Sequence, residues 1–284
     1  MKLVRYGELG AERPGLIDGA GDLRDLSGEI DDIGPAMLGA ETLGRLAAID
    51  PSGLPVVEPG GRIGAPITRP GNFHAIGLNY HDHAREAGME VPDEPVLFNK
   101  ATSAISGPGD DVRIPPGATK VDWEVELGIV IGRETYRVPV HRALDCVAGF
   151  AIVNDVSERD FQLAGTGQWT KGKSAPTFGP VGPWLVTTDE VGDPQALDLW
   201  LDVNGVRMQS GNTATMIFSV AEIVAYMSRH MVLLAGDLIA TGTPPGVGLG
   251  RTPPRYLRPG DDMRLGIEGL GEQRLRVVAE TERG

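Results

Sequence analysis

Two carboxylates two positions apart inside an apolar run are the first chemistry this chain offers. Glu124 and Glu126 interrupt Val121-Asp122-Trp123-Glu124-Val125-Glu126-Leu127-Gly128-Ile129-Val130-Ile131-Gly132, which otherwise reads as a buried strand. Side chains alternate faces along a strand, so the two glutamates point the same way. Like charges side by side repel, and burial raises the cost. A divalent cation would neutralise them. Lysine or arginine partners on a solvent-facing strand would also do so, and exposed acids are the rule. A second apolar run, Val147-Ala148-Gly149-Phe150-Ala151-Ile152-Val153, ends in Asn154-Asp155 and supplies a third acid at a strand end. Glu124, Glu126 and Asp155 would make an all-oxygen site, suited to Mg2+, Mn2+ or Ca2+ rather than zinc or copper. The sequence holds no Cys-x-x-Cys or His-x-x-x-His spacing that would give a softer site.

The elements that must hold these acids are mostly strands. Residues 1–70 read as a small N-terminal α/β domain, with short strands at 2–6 and 14–17 and a helix at 41–49. Gly60-Gly61 and residues 66–70 read as a linker to a larger domain over 71–284. That domain opens with a strand at Phe73-His74-Ala75-Ile76-Gly77 and a polar segment over 79–90. Leu197, Leu199, Leu201 and Val203 alternate into Asn204-Gly205, the strongest short hairpin signal in the chain. Residues 219–231 predict a helix, with Ser219 and Glu222 as a capping box and Val220, Ile223, Val224 and Met227 at helical spacing. Leu238-Ile239-Ala240-Thr241 predicts a strand that runs into a Gly/Pro loop ending at Gly250. Met263, Leu265 and Ile267 pair with Leu275 and Val277 as a terminal hairpin. The class is α+β and strand-rich.

Bulk properties narrow the partners. The chain has 284 residues, 41% of them hydrophobic, and a net charge of −13. Such a balance disfavours nucleic acid and anionic membranes. An anionic substrate would need local positive charge. The single Cys146 excludes an intrachain disulfide and reads as a buried thiol in a reducing compartment. The first residues lack a signal-type apolar core, and no apolar run reaches membrane-spanning length, so the expected location is cytoplasmic.

Several motifs in register resemble one family. They are Gly77-Leu78-Asn79-Tyr80-His81-Asp82-His83-Ala84-Arg85-Glu86, Asp122-Trp123-Glu124-Val125-Glu126-Leu127-Gly128 and Asn154-Asp155-Val156-Ser157-Glu158-Arg159-Asp160-Phe161-Gln162. Lys171-Gly172-Lys173-Ser174, Phe178-Gly179-Pro180 and Thr241-Gly242-Thr243-Pro244-Pro245-Gly246-Val247-Gly248 complete the set. Together they resemble the fumarylacetoacetate hydrolase family from about residue 73 to the C-terminus. The resemblance implies a mixed β-sandwich-like roll with an N-terminal appendage, assembled as a homodimer or higher homo-oligomer. It maps the family's metal triad onto Glu124, Glu126 and Asp155, with Mg2+ as the usual ion and Mn2+ as a substitute.

The implied reaction cleaves a carbon–carbon bond in a 1,3-dicarbonyl compound, the ion chelating the 2-oxo acid end. His83 and Glu86 stand three apart, a spacing that meets on one helix face, and the resemblance makes His83 the water-activating base with Glu86 orienting it. Neighbouring His81 is the competing candidate. Arg159 and Gln162 match the family's oxyanion-stabilising pair, and Lys173 would pair with the metal-bound acids or the enolate oxygen, with Lys171 an exposed neighbour. Thr243 would bond the substrate carboxylate, Gly242 would let a backbone amide approach the ligand, and Lys100 is a further substrate-binding candidate. The segment from Tyr80 to Val91, with Gly88 inside it, is expected to act as a lid.

The N-terminal appendage, the 167–173 segment and the 266–271 segment look like a narrower bacterial group of 2,4-diketo-3-deoxy-L-rhamnonate or fuconate hydrolases, which release pyruvate and a hydroxy acid such as lactate. Oxaloacetate decarboxylase, acylpyruvase and 2-hydroxyhepta-2,4-diene-1,7-dioate isomerase activities use the same kind of site. A non-catalytic protein with a structural ion is the remote alternative.

Overall fold

The computed structural model describes residues 1–86, 88 and 90–281, the side chains of residues 83 and 84 lying outside that description. A ten-stranded sheet carries Glu126, with Glu124 just before its strand Val125–Ile131 and Asp155 just after its strand Val147–Asn154. Its path runs Leu23–Asp25, Arg13–Ile17, Lys2–Tyr6, Gly179–Thr187, Val147–Asn154, Val125–Ile131, Leu238–Ala240, Phe73–Gly77 and Val96–Lys100, and Ile105–Ser106 joins it at Gly179–Thr187. A five-stranded sheet runs Val206–Asn212, Asp198–Val203, Asp262–Ile267, Gly271–Ala279 and Val112–Ile114. Most pairs are antiparallel, but Leu238–Ala240 pairs parallel with Phe73–Gly77. This is the expected strand-rich α+β roll. Among the described residues no helix is long and apolar enough to cross a membrane.

The Val125–Ile131 strand explains where the core lies. Every residue in it is buried, as expected of a strand covered on both faces. Val125, Leu127, Ile129 and Ile131 pack with Leu201, Leu265 and Leu275 of the smaller sheet and with Val224 and Met227 of the Val220–His230 helix. The opposite face carries Val130, which joins Val153, Val181 and Leu185 and reaches Leu3 and Leu38. Alternation places Glu126 and Gly128 on that second face. Gly128 has no room for a side chain there, since a Cβ would stand 2.7 Å from Val153 Cγ2.

The N-terminal strands extend the main sheet. Lys2–Tyr6 lies antiparallel to Gly179–Thr187, with Leu3 opposite Leu185. The stretch expected as a linker is packed: Ile63 bridges to Tyr6, and Ala65 and Ile67 are buried in the second core. Its prolines turn the chain, while the apolar residues between them enter the core. The capping box at Ser219 and Glu222 is formed at both ends. Asn204 and Gly205 both take positive φ, 52° and 74°, as a type I′ hairpin turn requires.

Candidate metal centre and active-site cavity

Strand register assembles the three acids. Val153 lies opposite Glu126 and Asn154 opposite Val125. One step further, the Asp155 amide donates to the Glu124 carbonyl at 2.9 Å, which brings Asp155 beside Glu124. One oxygen from each of Glu124, Glu126 and Asp155 lies within 4.8 Å of the others. Their exposures are 5%, 2% and 0%, so the solvent-facing reading of the glutamates does not hold.

Three buried cations surround the acids. Lys173 Nζ donates to Glu124 Oε2 at 2.7 Å and Asp155 Oδ2 at 2.6 Å. Arg159 donates from Nη2 to Glu124 Oε1 at 2.7 Å, from Nε to Asp122 Oδ2 at 2.8 Å and from Nη1 to Gln162 Oε1 at 3.0 Å. Lys100 Nζ donates to Asp155 Oδ1 and, at 3.2 Å, to the Val156 carbonyl. Glu126 is left with the Gly242 amide at 2.8 Å and forms no ion pair among the described residues. Burial, then Asp155 and Glu124, push the Glu126 carboxyl well above its ordinary range. Burial drives Lys100 down, Asp155 opposing it and Lys173 adding to it. Burial also works against the charge of Lys173, yet Asp155 and Glu124 outweigh it and hold that ammonium above its usual value. Convergent hard oxygens with one under-compensated carboxylate fit Mg2+ or Mn2+, so the residues present match the ion the sequence implies.

The Thr241–Gly250 loop is tied down by residues to which the sequence reading assigned no role. Asp122 accepts the Gly248 amide at 2.6 Å and the Leu249 amide at 3.0 Å. Gln209, fully buried, accepts the Val125 amide at 3.0 Å and donates to Thr243 Oγ1 at 2.7 Å and the Pro244 carbonyl at 2.8 Å. The Thr243 hydroxyl itself donates to the Val125 carbonyl at 2.9 Å, so its proton serves the loop. Asn154 Oδ1 accepts the Glu124 amide at 3.1 Å. Asp122 and Asn154 lie inside the recognised motifs and were findable there; Gln209 carries no local signal.

Two short helices, Arg159–Leu163 and Thr170–Lys173, bring Arg159, Gln162 and Lys173 to the acids. They touch through Gly172, where a Cβ would stand 2.3 Å from the Gln162 amide nitrogen. Lys171 is exposed and donates to the Ala164 carbonyl. Glu86, on the His81–Glu86 helix, accepts the Gly246 amide at 3.0 and 3.1 Å. His83 stands on the same helix, and its side chain is outside the described residues.

A cavity of about 350 Å³ opens onto this cluster. Glu86, Glu124, Glu126, Asp155, Arg159, Gln162, Lys173, Gly242 and Thr243 all reach its wall. Lys100 does not: it sits behind Asp155, buried by it and by Val156. Its location makes it a neighbour of an acid rather than of a ligand.

Residues 72–278 match the fumarylacetoacetate (FAA) hydrolase C-terminal family. A protein of Burkholderia cenocepacia (strain HI2424), provisionally named a hydrolase, is 58% identical over 278 residues, covering 98% of this chain and 99% of the relative. The fumarylacetoacetate hydrolase structure from Exiguobacterium antarcticum superposes with a TM-score of 0.87 at 37% identity, covering 99% of this chain and 100% of that one. A maleylpyruvate hydrolase from Sphingobium sp. SYK-6, solved with manganese(II) and pyruvate, gives 0.82 at 30% identity with the same coverage. Other similar structures carry isomerase names.

Proposed function

Because this chain belongs to the fumarylacetoacetate hydrolase family, we propose that it is a Mg2+- or Mn2+-dependent hydrolase that cuts a carbon–carbon bond of a small anionic 2,4-diketo acid. The products of this reading are pyruvate and a hydroxy acid such as lactate, and 2,4-diketo-3-deoxy-L-rhamnonate or its fuconate counterpart is the substrate inferred. The observation that carries it is one cavity wall shared by the three acids, Arg159, Gln162 and Lys173. Manganese and pyruvate in the Sphingobium structure support a site of this kind.

Glu124, Glu126 and Asp155 would hold the ion. The chemistry a bound divalent ion supplies there is Lewis-acid polarisation of the substrate carboxylate and 2-keto oxygens, with charge stabilisation for the enolate that departs. The rest falls to the protein. A base takes a proton from water as its oxygen bonds to C4, and the carbonyl electron pair moves onto the C4 oxygen. Arg159 and Gln162 are the donors assigned to that oxygen; with Gln162 Oε1 taken by Arg159, the amide NH2 is the end available to a ligand. When the carbonyl re-forms, the C3–C4 bond breaks, its pair stays on C3, and a proton completes the methyl group of pyruvate. One water is added overall. His83 is the base assigned, on the helix that Glu86 fastens to Gly246.

The test is pyruvate release from a panel of 2,4-diketo acids with Mg2+. Chelation is expected to abolish it, and release that persists unchanged in excess EDTA overturns the metal assignment. His83→Ala is expected to lose hydrolysis while keeping oxaloacetate decarboxylation, which needs no activated water; full hydrolysis in that variant excludes His83 as base. The isomerase names among similar structures favour a second reading, isomerisation at the same centre. Turnover of a diene-dioate without pyruvate release would establish it.

A further inference from the structure

Glu124, Glu126, Asp155, Arg159, Gln162 and Lys173 form one linked polar cluster on the cavity wall, and the rest of the wall includes Leu78, Phe98, Leu163, Trp169, Val247 and Leu249. Phe98 and Trp169 meet edge to face at 5.2 Å and form a rigid apolar side. Leu163 and Leu249 remain 54% and 39% exposed, which is unusual for leucines on a cavity wall and places them towards solvent. Among the described residues the cations reaching the wall are Arg159 and Lys173, and both are already bonded to Asp122, Glu124 or Asp155.

A 2-oxo acid anchored at the carboxylate cluster therefore projects its far end along these apolar side chains. A second carboxylate there would be desolvated, and the cations on the wall among the described residues are already bonded to acids. An alkyl end would instead gain from each methylene buried. Resting on the hydrolase reading for its anchor, we propose that this cavity selects 2-oxo and 2,4-dioxo acids whose far end is uncharged, and that Leu163 and Leu249 set that choice. Substrates ending in a methyl group belong to the class, and dioates are excluded from it.

Binding separates this idea from catalysis. With Mg2+ present, 2-oxohexanoate is expected to bind at least about 30-fold more tightly than 2-oxohexanedioate by calorimetry, the cost of an unpaired buried charge. Leu163→Arg and Leu249→Arg each place a cation at the far end and are expected to narrow that ratio about tenfold. Both leucines are partly exposed, so either variant keeps the test alive if the other folds poorly. Equal affinity of the wild type for the two acids, binding of neither, or arginine variants that leave the ratio unchanged would each overturn the proposal.

Pyruvate release from 2,4-dioxoheptanoate and 2,4-dioxoheptanedioate is read in parallel. Preference for the uncharged ligand without any cleavage sinks the hydrolase reading and leaves the selectivity standing. Equal cleavage of both acids does the reverse.

Discussion

Asp122→Asn tests how the site is held. The Asp122 side chain is fully buried and accepts four hydrogen bonds: Trp123 and Gly248 amides on Oδ1 at 2.9 and 2.6 Å, and the Leu249 amide and Arg159 Nε on Oδ2 at 3.0 and 2.8 Å. Asparagine preserves the shape, and its oxygen serves one of these donor pairs. Its NH2 must then face the other pair, donor against donor. Arg159 also loses one of its two carboxylates, keeping Glu124 and Gln162. Breaking a buried charge pair from one side costs about 3–5 kcal/mol, and the retained partners of Arg159 hold the loss within that range rather than adding to it. In a chain of this size each kcal/mol moves Tm by about 2–4 °C, so a fall of roughly 6–20 °C is expected. Arg159 and the Gly248-Leu249 amides lose their common anchor, and kcat/KM for pyruvate release should drop about 100-fold, as displacements near 1 Å do in such sites. Mg2+ affinity should hold, because Asp122 lies outside the acid triad. Thermal unfolding, Mg2+ titration and steady-state kinetics read the three effects. A variant within about 2 °C and threefold of wild type would refute Asp122 as the residue that positions Arg159.

Acidity gives a second expectation. Glu126 has its folded carboxyl pKa raised by burial and by Asp155 and Glu124, so the metal-free folded protein keeps a proton that the unfolded chain has released. Stability of the metal-free form should therefore decline as pH rises from the ordinary carboxylate range to the raised value, and level off above it. Over the same window Mg2+ displaces that proton and its apparent affinity should rise, with proton release seen by calorimetry in buffers of different ionisation enthalpy. An apparent affinity that does not rise with pH above the ordinary carboxylate range would contradict this. Gly172→Ala should force apart the two short helices, because its Cβ meets the Gln162 backbone at 2.3 Å. It is expected to cost about 1–3 kcal/mol of stability and to lower kcat more than Mg2+ affinity; unchanged kcat would show that the helices absorb the methyl group.

Much of the site was legible because its signals are local. Glu124 and Glu126 read as sharing one strand face; the strand starts only at Val125, yet both acids reach the same cavity, and Ser219 with Glu222 or Asn204 with Gly205 need only their own neighbours to act. What escaped depends on partners far along the chain. Lys2–Tyr6 reads as a small separate strand until Gly179–Thr187 is seen beside it. Gly179–Thr187 itself contains Pro180 and Pro183, which argue against a central strand. It is central nonetheless, and the register shift between Phe150 and Ile152 falls opposite the Pro183 stretch, where the ladder would otherwise need the missing N–H. Gln209 and Lys100 failed differently: each is a polar residue in a strand, and nothing nearby says that one will face the Val125 backbone and the other the back of Asp155.

Charge explains why these hidden residues are needed. Asp122, Glu124, Glu126 and Asp155 face Arg159, Lys173 and Lys100, which leaves one negative charge uncompensated in a buried cluster. The upward shift of the Glu126 pKa works against that excess, since a proton on this carboxyl would bring the cluster to neutrality. Exchange of the proton for a divalent cation would make the cluster positive by one unit, and the carboxylate of a 2-oxo acid would bring it to neutrality. With the lysines absent the same exchange would leave the cluster with one negative charge and no attraction for an anion. Lys100 never reaches the cavity; when protonated, the charge it lends to Asp155 would add to the cluster's pull on an anion, and an acidic protein would gain an anion site without a cation exposed on its surface.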